Sequence, residues 1–291
     1  MDQRKKILIK SISTLLIILL CAANITESEP TNPSKKHFVL VHGSCFGAWS
    51  WYKLVTLMKS SGHNVTALDL AASGVDPQQA KDLQSISDYF KPLTDFMAAL
   101  DPPHDKVILV GHSLGGLAIS YAMERFPYKI SLAVFVTALM PGPTLNISTL
   151  NQESFRRQGS LLDSKYTYDQ GPNNPPITLI FGPLFLATNV YQLSPTEDVA
   201  LGTMLMRPQR LFSEEDLSKE LKLTHEKYGS VNRVYVLSGG DLLMKKDLQR
   251  WMIKRNRPNS VVEITGSDHM VMISKPLELW VHIQGSSEKY S

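Results

Sequence analysis

Gly111-His-Ser-Leu-Gly115 places a serine between two glycines, after the apolar run Lys106-Val-Ile-Leu-Val110 and before a helix-like stretch, 117–126. A strand, a tight turn and a helix in that order lift a side chain out of the end of a sheet. So tight a turn leaves no room for Cβ atoms beside it, which Gly111 and Gly115 satisfy. The helix that follows aims its free N–H groups and the positive end of its dipole at the serine. A serine hydroxyl is a weak nucleophile near neutral pH, so it needs a base in reach, and the base needs a group to orient it. His269, in Gly266-Ser-Asp-His269 after the last expected strand, is the candidate base; His225 and His282 are the other late histidines. Asp241 follows the strand 233–237 through Ser238-Gly-Gly240. That puts a carboxylate at the C-terminal end of a strand, where open α/β sheets place functional groups. Asp268 adjoins His269 and is poorly placed to reach its Nδ1, and Asp247 lies on the following helix. The expected triad is Ser113, Asp241 and His269.

Attack of a serine on an acyl carbon creates an oxyanion that needs two aimed donors, each worth about 3 kcal/mol of barrier. The backbone N–H of Leu114, next to the nucleophile, is one. The loop His42-Gly-Ser-Cys45 after the first strand supplies the other, through Ser44, since Gly43 lets the backbone approach closely. Cys45 has no evident histidine partner and reads as a buried packing thiol. This chemistry needs no metal and no cofactor.

Strands and helices alternate to position these groups. Strands are expected at 37–42, 65–70, 107–110, 130–136, 233–237 and 260–264, and helices at 49–60, 86–100, after Ser113, 246–254 and 276–283. Short apolar runs alternating with helices make an α/β fold, a mostly parallel sheet covered on both faces. The alternation fails from Pro141 to Gly229, which reads as an inserted cap over the C-terminal edge of the sheet, walling a substrate pocket. The expected division is core 37–140, cap 141–229 and core 230–291.

The first residues are of another kind. Arg4, Lys5, Lys6 and Lys10 precede the apolar segment 12–23, which ends in Cys21-Ala-Ala23. This is the pattern of a cleaved secretory signal, 1–23, followed by a polar, Pro-bearing linker, 24–36. The apolar run is short of the roughly 20 residues of a membrane span, so no stable membrane insertion is expected after cleavage. Its loss with Asp2 removes the whole formal charge of +3, so nothing implies nucleic acid as a partner. The mature chain would keep one thiol, Cys45, and no internal disulfide, which is unusual for an exported protein and leaves a cytoplasmic location open. Asn24, Asn64 and Asn146 begin glycosylation sequons, of which Asn146, in an expected loop, is the best candidate.

Several long motifs occur in order: His37-Phe-Val-Leu-Val-His-Gly43, Gly47-Ala-Trp-Ser-Trp-Tyr-Lys-Leu54, Ala67-Leu-Asp-Leu-Ala-Ala-Ser-Gly-Val-Asp-Pro77, Gly111-His-Ser-Leu-Gly-Gly116, Tyr191-Gln-Leu-Ser-Pro-Thr-Glu-Asp198, Asp216-Leu-Ser-Lys219, Gln249-Arg-Trp-Met-Ile253 and Asp268-His-Met270. Over nearly all of 37–285 the chain resembles the plant methylesterase and hydroxynitrile lyase branch of the α/β-hydrolases. The resemblance implies a serine carboxylesterase that cleaves methyl esters of small metabolites (methyl salicylate, methyl jasmonate, methyl indole-acetate or an alkaloid methyl ester), with Ser113, Asp241 and His269 at the triad positions. It implies Gly43, Phe46, His112 and Met270 as substrate-binding positions, and a homodimer as one possible assembly. Lyases resembling this chain carry Thr or Asn where Gly43 stands, and one class has a non-His residue at 112 and Lys at 270; the residues here are esterase-like. The alternatives are a lyase splitting an α-hydroxynitrile with the same triad and a non-catalytic small-ligand-binding relative. The chain departs from the pattern at Phe46, where many relatives have His, by one extra residue in 213–215, through 152–176, and at Gly239-Gly240, which leaves the acid loop less constrained by side chains.

Overall fold

β1 (His37–Val41) is an inner strand of a six-stranded sheet and shows how the fold is held. Its residues alternate: Val39 and Val41 enter one apolar core, Phe38 and Leu40 the other, and all four are fully buried. A strand buried on both faces must be apolar throughout, which is why its sequence reads as a run. The computed structural model describes residues 35–101, 106–168, 171 and 173–291. The expected signal, Cys21, the Asn24 sequon, most of the linker and the Pro102-Pro103 break lie outside them.

The elements follow in order: α1 (Tyr52–Ser60), β2 (Asn64–Leu68), α2 (Ile86–Ala99), β3 (Val107–His112), α3 (Gly115–Arg125), β4 (Ile130–Val136), α4 (Ile147–Arg157), β5 (Lys165–Thr167), β6 (Thr178–Ile180), α5 (Thr196–Leu205), β7 (Gln209–Arg210), α6 (Glu214–Glu220), β8 (Arg233–Ser238), α7 (Lys246–Arg255), β9 (Ser260–Ile264) and α8 (Pro276–Tyr290). The main sheet runs β2-β1-β3-β4-β8-β9 with every neighbour parallel. Val39 sits between Thr66 and Leu109, and Phe135 between Gly111 and Tyr235. The helices α2, α3 and α7 cover the Val39 face with Phe90, Leu93, Ala118 and Met252. The helices α1 and α8 cover the Phe38 face with Leu54, Met58, Trp280 and Ile283.

β1 is followed by β2 on one side and β3 returns on the other, so the strand order reverses between β1 and β3. At such a point the loops at the C-terminal ends diverge and leave a crevice. The loops that open there carry Gly43-Ser44 and Ser113.

Three elements differ from expectation. β2 stops at Leu68, because Leu70 N–H donates to His42 Nε2 at 3.1 Å and Ala71 N–H to Tyr89 O at 3.1 Å instead of to a strand. The last helix runs through Gly285 to Tyr290, docked by buried Ser287, whose carbonyl accepts from Lys36 Nζ. The segment 141–229 also holds a three-stranded antiparallel sheet, β5-β6-β7, whose strands of two or three residues are too short to show a period. Asn146 ends the loop before α4, exposed as expected, and its side chain caps that helix, accepting from Thr149 N–H at 2.8 Å.

Candidate active site

Ser113 stands at the end of β3 with φ +53°, a left-handed conformation that a residue with a side chain adopts at a cost of about 1–3 kcal/mol. Neighbouring groups hold it there: its N–H donates to Val136 O at 3.4 Å, and its carbonyl accepts from Gly116 N–H and Leu139 N–H at 3.1 and 3.0 Å. A Cβ on Gly115 would lie 2.6 Å from the carbonyl oxygens of Val41 and His42, so the start of α3 presses on the end of β1 and admits only glycine. The sequence expectation of a sharp turn is thus met by positive φ at the serine and close backbone packing at the glycine.

His269 follows β9 and is 1% exposed. Its Nδ1 lies 2.7 Å from Asp241 Oδ2, and the tautomer that donates there carries its acceptor on Nε2. Asp241 is more strongly held than the sequence suggested. Oδ1 accepts from Leu243 N–H and Met244 N–H, each at 2.8 Å, and Oδ2 accepts from Thr137 Oγ1 at 2.5 Å as well as from His269. The two preceding glycines do not loosen this loop. Gly239 N–H donates to Ile264 O and Gly240 N–H to Ser267 O, and a Cβ on Gly240 would meet Ser267 O at 2.7 Å, so glycine is what lets the acid loop and the histidine loop touch. Thr137 gave no signal in the sequence, since an isolated threonine after a strand has no period or motif.

Asp268, the rival carboxylate, is committed elsewhere. Its Oδ2 accepts from Leu193 N–H at 3.0 Å and Ser194 Oγ at 2.7 Å, and its Oδ1 from Met270 N–H at 3.0 Å. It ties the segment after Tyr191 to the histidine loop. Ser238 Oγ adds a second tie, 2.8 Å from Asp268 O.

Ser113 Oγ makes no hydrogen bond to a described residue, His269 included. Catalytic bonds of this kind are often long without substrate and tighten around it. His112, the residue before Ser113, packs on the histidine: its ring lies 4.7 Å from that of His269 and its Nε2–H donates to His269 O at 2.8 Å. His112 is fully buried and its Nδ1 is unpartnered; burial first, and the neighbouring His269 second, hold its pKa far below the ordinary imidazole value. It is therefore neutral. His42 is neutral for the same first reason: Leu70 N–H occupies its Nε2 and its Nδ1–H donates to Gly43 O at 2.8 Å.

An apolar cavity of about 260 Å³ opens over Ser113, with Ser44 and Leu114 beside it in the wall. Leu117, Leu179, Phe181, Phe212 and Leu243 are among its lining. The amides of Ser44 and Leu114 donate to no described residue. Gly43 packs directly on the serine: a Cβ there would lie 2.8 Å from Ser113 Cβ and 3.0 Å from His112 Nδ1. Phe46 and Met270, expected at the substrate, are fully buried and outside the lining; Phe46 packs against Trp49, His112, Phe181 and Tyr191. His112 is outside the lining too and acts on the site through the His269 carbonyl. Cys45 is buried against Leu179 O, and burial pushes its thiol up to about 12.

The sequence profile described as "Alpha/beta hydrolase family" matches residues 38–282. The chain belongs to that family. This family member is 56% identical over 258 residues to methyl jasmonate esterase 1 of Vitis vinifera, covering 88% of this chain and 98% of that one. It is 42% identical over 256 residues to polyneuridine aldehyde esterase of Rauvolfia serpentina, covering 87% and 96%. The crystal structure of tomato methylketone synthase I complexed with 2-tridecanone superimposes with a TM-score of 0.85 at 54% identity, covering 88% of this chain and 99% of that one. The resemblance to plant methylesterases holds, and so does the α/β-hydrolase architecture. Among the described residues no helix is long and apolar enough to cross a membrane.

Proposed function

We propose that this α/β-hydrolase is a serine methylesterase that cleaves methyl esters of small plant carboxylic acids. The observations that carry the reading are the buried Asp241–His269 pair, 2.7 Å apart, and a serine held at positive φ in the wall of an apolar cavity. His269 Nε2 takes the proton from Ser113 Oγ as the oxygen attacks the ester carbonyl. The amides of Ser44 and Leu114 hold the oxyanion. His269 returns the proton to the methoxy oxygen and methanol leaves; water then repeats the sequence and frees the acid and the serine. Residues 141–229 act as the cap, since β6, β7 and α4 from that segment wall the cavity. Relatives named for methyl jasmonate and polyneuridine aldehyde, at 56% and 42% identity, support small-metabolite esters as substrates. The test is methanol release from a panel of methyl esters by the wild type and by Ser113→Ala. Loss of nearly all turnover in a folded variant is expected, and retained turnover would refute the assignment.

The 54% identity to tomato methylketone synthase I, a variant of which was crystallised with β-ketoheptanoate, favours one second reading, loss of CO₂ from a β-keto acid, which leaves a methyl ketone. That reaction needs no nucleophile, so a β-keto acid would still lose CO₂ with Ser113→Ala. The segment 1–23 is proposed to route the chain to the secretory pathway, for which a mature N-terminus at Asn24 is the check.

A further inference from the structure

The cavity wall is mostly apolar; its polar side chains are Ser44 and Ser113, Gln209 and Arg210 on β7, and a group along one helix. Gln209, paired opposite Leu179 and buried, already donates from Nε2 to Arg210 O at 3.0 Å. α4 turns Asn151, Ser154, Phe155 and Gln158 toward the cavity, the i, i+3, i+4, i+7 spacing of one helical face. Ser154 Oγ is already engaged, donating to Leu150 O at 2.9 Å, and Gln158 and Phe155 are exposed at the rim. Asn151 is half-buried and lines the cavity, and its side chain forms no hydrogen bond to any described residue. Its amide atoms are not among the buried polar atoms, so water reaches them in the open cavity; a ligand that displaces this water leaves the amide unpaired, at a cost, unless it offers a partner. No carboxylate lines the cavity, so nothing there offsets the charge of a protonated amine. Arg210 is the one charged residue of the lining, but it pairs with Thr178, and successive strand residues alternate faces. Its side chain stands on the opposite sheet face to that of Leu179, which borders the cavity.

The volume bounds the ligand. A dry cavity of about 150 Å³ takes a benzene ring, so about 260 Å³ takes roughly ten non-hydrogen atoms. We infer that Asn151 is a specificity-determining residue: it hydrogen-bonds an oxygen, a ketone or hydroxyl, on an uncharged acyl group that is otherwise apolar and carries that oxygen far from the ester. This rests on the esterase reading above and goes beyond it in naming the acyl group and the residue that reads it. A site built around a polar partner discriminates against an analogue that lacks it, because the polar group is then left unpaired.

The test compares methyl 7-oxooctanoate with methyl octanoate, whose acyl groups differ by the remote oxygen alone. In the wild type kcat/KM should favour the oxo ester by about tenfold, the size of one net neutral hydrogen bond. Asn151→Leu, close in volume, should bring the ratio near one, and Asn151→Ala should do the same. A wild-type ratio near one, or a tenfold ratio that survives in both variants, overturns the role of Asn151. If neither ester is hydrolysed, the esterase reading fails. The role of Asn151 is then decided by calorimetric binding of the two free acids to wild type and Asn151→Leu, with the same ratio supporting it and equal affinities refuting it.

Discussion

Asp241 Oδ2 and His269 Nδ1 lie 2.7 Å apart, with side-chain exposures of 0% and 1%. The other oxygen of Asp241 is fixed by two backbone donors, Leu243 and Met244. An asparagine here would keep its one oxygen on those amides and turn its NH₂ toward His269. The imidazole would then accept at Nδ1 and carry its proton on Nε2, where it cannot serve as a base. Asp241→Asn is therefore expected to lower kcat by about 10⁴ while the chain still folds. A kcat within tenfold of the wild type, measured by methanol release, would show that the carboxylate does not orient the base.

Stability should fall on the acid side through two histidines outside the proposed chemistry. His42 and His112 are fully buried, and burial lowers both pKa values in the folded chain. The unfolded chain, with imidazoles near 6.5, binds these protons first, so their neutral burial is without penalty above about pH 6.5 and becomes costly as pH falls below it. Two suppressed protonations give a slope approaching about 2.7 kcal/mol per pH unit. Urea unfolding between pH 7 and pH 5 reads it. His112→Gln should remove about half of the slope, and an unchanged slope would contradict neutral burial of His112.

Gly43 is the third case. Its missing side chain leaves room for Ser113, and a Cβ would lie 2.8 Å from Ser113 Cβ, a distance that forces movement. Gly43→Ala is expected to reduce kcat/KM by more than tenfold, with a loss of roughly 1–3 kcal/mol from overpacking. Equal activity of the alanine variant would mean that the turn has slack which the packing does not show.

Cys45 tests the reading of the turn beside it. With its thiol pushed up to about 12 and 3% exposure, it should resist iodoacetamide at pH 8 in the folded protein and react fully in urea, as read by peptide mapping. Fast native labelling would place the thiol at the surface or beside a cation.

Much of this protein is local, and local features are legible in a sequence. The apolar runs of β1, β3 and β4 read as buried strands because both faces of each are covered. The glycine-flanked serine, the carboxylate after β8 and the histidine after β9 stand where strand ends would put them. The chain order alone therefore named three residues; the structure joins two of them, Asp241 and His269, by a hydrogen bond, and the third, Ser113, follows His112, whose ring packs on that of His269.

Tertiary structure decided which groups share the work. Asp241 and Asp268 are both candidate carboxylates, one 28 residues from the histidine and one adjoining it, and packing sent the first to Nδ1 and the second to the segment after Tyr191. Thr137, the tie from His112 to His269 and the uncommitted amide of Asn151 depend on contacts between segments far apart in the chain. A sequence records periodicity and the strain that one turn can bear; which distant atoms meet is set by how the sheet twists, where the inserted segment lands and which polar groups find partners once water is excluded.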